Sequence, residues 1–213
     1  MNITIIGAGN AGCAHAFKLS QSGQNVSLLK TSYAMHDDNF EVIQSNGGIW
    51  CIDHTQQDEK SFQKVSLITR DWEKALKDAE VVMVQVQSNQ HPHIAEELSK
   101  FELRKLKIIV IIPGNLGSVY FKQSLKNNKI LIAEGESTPY DARIIEPGVI
   151  NILYKNTRNA IAITPRNRKE EGMGIITQLF DTYGYYRTNI LESALHNPNL
   201  VVHTIGTIMS ASR

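Results

Sequence analysis

Three glycines near the start of the chain, in Gly7-x-Gly9-x-x-Gly12, have the type and spacing to hold an anion against the backbone. Gly7 lets the chain turn sharply, Gly9 presents no Cβ to an approaching group, and Gly12 lets a helix pack closely on the preceding strand. With Asn10 and Ala11 between them, these residues gather the unpaired amides of a first helical turn at one point, where the helix dipole favours negative charge. That arrangement suits a dinucleotide pyrophosphate. A glycine turn is weak evidence alone, but its flanks strengthen it. Asn2 to Ile6 has a strand pattern, and Ala11, Ala14, Phe17, Lys18 and Leu19 follow a helical period that stops at Gly23, a suitable C′ residue.

The next residues with chemistry follow a second strand, Asn25 to Leu29. In a dinucleotide-binding fold an acid about 20 residues beyond the glycine turn accepts hydrogen bonds from the adenosine ribose, whereas basic and hydroxyl residues accommodate a 2′-phosphate. Lys30, Thr31 and Ser32 stand there, which favours NADP over NAD. A solvated lysine at a strand end is the alternative. Asp37 and Asp38 read as N-caps of a short helix through Asn39 to Gln44 rather than as the ribose acid.

The elements that position these residues follow an α/β rhythm. Gly47 to Asp71 interrupts it with two or three β segments around a polar turn, Gln56 to Lys60, which predicts a hairpin inserted before the third parallel strand. A helix starting at Asp71, a strand over Glu80 to Val86, a helix over Pro92 to Lys100, a strand over Lys107 to Ile112 and a helix over Leu116 to Asn127 come next. Continuous apolar runs such as Val81-Val82-Met83-Val84 and Ile108-Ile109-Val110-Ile111-Ile112 suit strands covered on both faces. Such sheets bind ligands beyond the carboxyl ends of their strands. The turns holding Gln87 and His91, and Gly114 and Asn115, therefore fall beside the expected nicotinamide. Asn115 offers an amide to a carboxamide or serves turn geometry alone; His91 lines the pocket or caps a turn before Pro92. A strand over Ile130 to Glu134, β runs over Val149 to Tyr154 and Asn159 to Thr164, a helix from about Lys169 to Tyr183 and a short strand near Tyr186 complete this part. The fold class expected is α/β: a Rossmann-type, doubly wound, mostly parallel sheet with an inserted hairpin.

Composition narrows the partners. The 213 residues carry 22 Lys and Arg against 21 Asp and Glu, a net charge of +1 without long charged blocks, so neither nucleic acid nor a membrane surface is expected. No run reaches the ~18 apolar residues of a membrane helix, and no basic, apolar leader precedes the first strand. A cytoplasmic protein is the reading. Cys13 and Cys51 form no metal-type pair, no metal is expected, and packing is their simplest role.

Four further motifs resemble the opine dehydrogenases of the octopine and nopaline type. Gln87 to Glu96, with His91 heading a helix, is similar to that family's Pro-Ala-x-x-His-x-x-x-Ala segment, although Gln87 and Ser88 replace Pro-Ala. Pro113-Gly114-x-x-Gly117 resembles its second glycine turn. Glu134 to Arg143 resembles its Glu-rich, Pro-Tyr-x-x-Arg stretch, and Asn197-Pro198-Asn199-x-x-x-His203 resembles the opening of its second, mostly helical domain.

The resemblance implies NAD(P)H-dependent reductive condensation of an α-keto acid with the amino group of an amino acid. By match of position His203 is the acid/base, and an imidazole can exchange a proton near neutral pH. Asn199, Tyr140 and Glu136 are candidate substrate residues; Glu136, Tyr140 and Arg143 read alternatively as an internal ion pair with a buried hydroxyl. Residues 1–190 are expected to form the dinucleotide-binding domain, and 191–213 the beginning of the helical domain. A complete second domain needs many more residues, including a partner aspartate and a substrate-binding arginine. The expectation is therefore a truncated chain, ending at Arg213, that binds cofactor but catalyses poorly, with exposed apolar residues such as Leu200, Val201, Val202, Ile205 and Ile208 inviting a homodimer. Ketopantoate reductases and glycerol-3-phosphate dehydrogenases share such a first domain and are the alternative, but the catalytic lysine they typically carry has no clear counterpart. A non-catalytic NADP(H)-binding module is a third reading.

Overall fold

A computed structural model describes residues 1–56 and 59–210, with the side chains of 185 and 198–201 outside the described set. In chain order the first half forms β1 (Asn2–Ile6), α1 (Asn10–Gln21), β2 (Asn25–Leu29), α2 (Asp37–Asn46), β3 (Gly48–Asp53), β4 (Lys60–Lys64), β5 (Leu67–Thr69), α3 (Trp72–Leu76), β6 (Val81–Val84), α4 (His91–Ser99), β7 (Ile108–Ile111) and α5 (Ser118–Ser124). The second half forms β8 (Leu131–Gly135), β9 (Tyr140–Glu146), β10 (Val149–Lys155), β11 (Ala160–Thr164), α6 (Lys169–Leu179), β12 (Tyr185–Tyr186), α7 (Ile190–Leu195) and α8 (Pro198–Ser210).

The described residues build an eight-stranded sheet in the order β12-β11-β8-β7-β6-β1-β2-β5. From β5 to β8 every pairing is parallel, and β11 is antiparallel to β8. Every residue of β6 and β7 is buried, as continuous apolar runs covered on both faces require. One face carries a core of Ile6, Leu29, Val82, Val84, Ile109 and Ile111 with Ile94, Leu98 and Phe121. The other packs Ile3, Ile5, Met83 and Val110 against Phe17, Leu19, Phe40 and Ile176. Strand order reverses at β1, with β2 and β5 on one side and β6 to β8 on the other, so a crevice opens at the carboxyl ends of β1 and β6.

The expected hairpin is present, with Trp50 opposite Phe62, but it belongs to a second sheet, β4-β3-β10-β9. There β3 pairs in parallel with β10, and β10 is antiparallel to β9. A strand over Tyr140–Glu146 is not legible in the sequence, because its mixed, half-exposed pattern has no clean alternation. Helix α1 lies between the sheets: Lys18 forms a buried ion pair with Asp53, and Asn10 Oδ1 accepts the Ile144 amide at 2.8 Å. Burial resists ionisation of Asp53, yet the bonds from Lys18 and Thr55 hold its carboxyl below the usual range.

Several local expectations are corrected. Asp37 and Asp38 open α2 as its first residues; the cap is His36, at φ 62°, and makes no side-chain cap bond. Asp71 does cap α3, accepting the Lys74 amide at 3.1 Å. The helix α7 was not expected; it packs on β11 and β8, with Ser193 Oγ donating to the Glu134 carbonyl at 3.2 Å. Helix α7, beyond residue 190, thus packs on the eight-stranded sheet. Cys13 and Cys51 are both buried and free, and burial pushes each thiol up to about 12.

Candidate functional site

The loops after β1, β2 and β6 enclose a cleft of about 430 Å³, lined by Gly7 to Asn10, by Lys30 to Ser32 with Ala34 to His36, and by Gln85 to Gln87 with Gln90. Two glycines of the turn that borders it are fixed by close approach. At Gly7, φ is +113° and a Cβ would lie 2.3 Å from the Gln85 carbonyl oxygen; at Gly12 it would lie 1.8 Å from the Gly7 carbonyl oxygen. A Cβ on Gly9 would meet only His36 Cδ2, at 3.7 Å. The turn is therefore tight behind and open in front.

Helix α1 begins there without a side-chain cap and without an acid in its first turn. The Cys13 amide is the first to return to the turn, donating to the Gly9 carbonyl at 2.9 Å, and the earlier amides at Asn10, Ala11 and Gly12 belong to the unpaired set at a helix start. Behind them Gln85 keeps both amide atoms buried without a hydrogen-bond partner, and such orphans are rare in native proteins. Open backbone, free helix-end donors and an unpartnered amide in one crevice fit a dinucleotide. Gln85 was not among the sequence candidates, because a single glutamine at a strand end carries no motif.

At the mouth of the cleft Lys30 is not a solvated lysine. It is 4% exposed, and its ammonium donates to the Met35 carbonyl at 2.8 Å and lies 3.8 Å from Asp37 Oδ1. Burial pushes the Lys30 pKa down, while Asp37 works against that shift. Thr31 and Ser32 line the cleft beside it, and the Ser32 carbonyl accepts a bond from Arg70 at 2.5 Å.

On the other side of β1 the second glycine turn is closed. Glu134, fully buried in β8, accepts the Leu116 amide at 3.1 Å and the Ser118 amide at 2.6 Å. Asn115, at φ 48°, and Leu116, at φ 64°, both hold the left-handed conformation that non-glycine residues avoid. The Asn115 side chain is committed: it donates to Ser88 Oγ at 3.0 Å and accepts from Asn197 Nδ2 at 2.8 Å. It ties the β6 and β7 turns to the segment entering α8 instead of facing the cleft. Gly114 packs on the Glu134 side chain, where a Cβ would lie 2.4 Å from Oε2. His91 is buried as the first residue of α4, against Phe121 and so close to Gly117 that a Cβ there would lie 2.3 Å from His91 Nδ1. Burial lowers its pKa, with the Val86 carbonyl working the other way. His91 and Gly114 thus pack within the second turn and do not line the cleft, while Gln87 does.

The substrate candidates do not come together. Tyr140 sits in an aromatic cluster with His15 and Phe180, under the Lys18 ammonium, and burial raises its hydroxyl to about 12. The ion pair considered for this region is real but different: Glu136 pairs with Arg187, and Arg143 with Asp141 on the outer sheet. His203 is exposed on α8, as are Val202, Ile205, Ile208 and Met209. The side chain of Asn199, and Arg213, lie outside the described residues.

A family model described as the NAD-dependent glycerol-3-phosphate dehydrogenase N-terminus matches residues 2–121, more than half of the chain. The chain belongs to this family of NAD-dependent dehydrogenase domains. The opine dehydrogenase of Arthrobacter sp. (strain 1C) is 25% identical over 213 residues, covering 98% of this chain and 57% of that protein, and it bears out the resemblance to opine dehydrogenases. Octopine dehydrogenase solved with NADH and L-arginine has the same fold, with a TM-score of 0.76 at 16% identity over 93% of this chain and 51% of that one. Yersinopine dehydrogenase solved with NADP+ gives 0.74 at 14% identity, over 93% and 50%. The chain spans about half the length of these relatives. Among the described residues no helix is long and apolar enough to cross a membrane, and no cluster of three or more His, Cys, Asp or Glu could hold a metal.

Proposed function

We propose that this chain is the cofactor-binding part of an opine-dehydrogenase-like oxidoreductase, which condenses an α-keto acid with the amino group of an amino acid and reduces the product. The observation that carries this reading is the reach of the opine dehydrogenase match. It covers 98% of the chain, whereas the glycerol-3-phosphate dehydrogenase model stops at residue 121. The amides of Asn10, Ala11 and Gly12, with Gly7 and Gly9, hold the pyrophosphate, and Gln85 and Gln87 border the nicotinamide half. Lys30, Thr31 and Ser32 receive the adenosine ribose, with NADP(H) preferred to NAD(H). The bound nicotinamide supplies the hydride. His203 on α8 moves the proton, and residues from 197 onward open the helical unit that shapes the substrate site.

A second reading, a reductase of the glycerol-3-phosphate dehydrogenase type, is favoured by the description of the matching family model. One experiment separates them. The chain is titrated with NADPH and NADH by tryptophan fluorescence, and the change in nicotinamide absorbance is then followed with these cofactors on paired keto acids and amino acids, or with NADP+ and NAD+ on glycerol 3-phosphate. Cofactor binding with turnover on the paired substrates supports the opine reading. Turnover on glycerol 3-phosphate alone replaces it, and binding of neither cofactor overturns both.

A further inference from the structure

The mouth of the cleft contains a charge arrangement with a consequence for cofactor choice. Arg70 follows β5, the strand beside β2, and its guanidinium lies 4.1 Å from the Tyr33 ring centroid and 4.6 Å from that of Phe40. From there Nη1 reaches the Ser32 carbonyl and Nη2 pairs with Asp37 Oδ1. The same Oδ1 lies 3.8 Å from the Lys30 ammonium. One carboxylate oxygen therefore serves two cations, delivered by two neighbouring strands, around a loop whose residues Lys30, Thr31, Ser32, Met35 and His36 line the cleft.

We infer that Asp37 tunes cofactor choice by occupying, in the free protein, the two cations that a phosphate on the adenosine ribose requires. The inference rests on the cofactor reading above and deepens it. A 2′-phosphate is close to a dianion at neutral pH and gains most from Arg and Lys donors in charge-assisted bonds. With Asp37 in place, Lys30 and Arg70 together offer a net charge of only about +1, and an incoming phosphate meets a carboxylate at short range. The phosphate has to displace Asp37 from at least one partner. A bare ribose hydroxyl carries no charge and meets no such repulsion. Asp37 thus weakens NADPH selectively, and Arg70 joins Lys30 as a residue that reads the phosphate.

The test compares the 213-residue chain with Asp37→Asn and Arg70→Gln, measuring Kd for NADPH and NADH, and for 2′,5′-ADP against 5′-AMP, at low and moderate salt. Asp37→Asn is expected to raise the preference for NADPH over NADH about tenfold, through tighter NADPH binding, with the same change for 2′,5′-ADP over 5′-AMP. Arg70→Gln is expected to lower that preference about tenfold. Added salt should shrink both differences, because they are electrostatic. A preference unmoved by Asp37→Asn, or moved only by weaker NADH binding, overturns the inference. Should Asp37→Asn fail to fold, equal losses of both cofactors in Arg70→Gln overturn it. If the unaltered chain binds neither cofactor, the cofactor reading itself has failed, an outcome distinct from binding that Asp37→Asn does not alter.

Discussion

The chain makes two glycine turns at the carboxyl ends of parallel strands, and they are put to opposite uses. At Gly7 to Gly12 the amides of a helix start stay free, nothing caps them, and the open side faces a cleft. At Pro113 to Gly117 the neighbouring amides bond Glu134, the Asn115 side chain bonds Ser88 and Asn197, and both glycines are packed against side chains. One turn reserves its hydrogen-bonding capacity for a ligand, and the other spends it on internal bracing. Glycine spacing alone does not distinguish them. The distinction is whether a buried acceptor reaches the amides first.

The comparison can be broken most severely at Gly12. Gly12→Val puts side-chain atoms against the Gly7 carbonyl, backbone that cannot move aside, and is expected to cost about 3 kcal/mol or more, or to prevent folding. Urea denaturation measures it. Glu134→Ala removes the acceptor of two amides and leaves them unbonded, for an expected loss of about 2–4 kcal/mol, while the cleft residues keep their places. Asn115→Ala loses two side-chain bonds and leaves alanine at φ 48°, which should cost about 1–3 kcal/mol and loosen the entry to α8, read as faster amide exchange after residue 197.

Gly9→Ala sharpens the contrast from the other side. With φ at −87° and open space ahead of its Cβ, alanine should change stability by less than about 1 kcal/mol. Cofactor affinity should nevertheless fall about tenfold or more, since the methyl occupies the approach to the pyrophosphate. Equal stability with undiminished binding would remove the ligand role from this turn.

The smallest effect concerns pH. The folded-state pKa of His91 is depressed by burial below the unfolded value of about 6.5. Its contribution to stability is therefore complete above about pH 6.5 and declines as the pH falls below that, because the unfolded chain then binds the extra proton. Protection of amides around Gly117 and Ser118 should drop on mild acidification more than protection around Cys13. His91→Gln should remove the difference.

The main sheet is legible in local pattern. Val81 to Val84 and Ile108 to Ile112 are continuously apolar, as doubly covered strands are, and Gly7 and Gly12 mark a helix start whose geometry tolerates little else. Local pattern carried those features, so they could be read in advance. What each polar residue does depends on the partners that folding brings to it. Lys30 and Asn115 look equally available in the sequence, yet both are committed to partners, Asp37 and Met35 for one and Ser88 and Asn197 for the other. Arg70 gave no signal and Glu134 appeared only as the start of a motif, because the partners of each lie far along the chain. Strand Tyr140–Glu146 escaped for another reason: its partner β10 follows it directly in the chain, but its mixed, half-exposed residues show no alternation. A hydrogen bond or ion pair between residues far apart along the chain leaves no periodicity at either end, so its partners become visible only when folding brings them together.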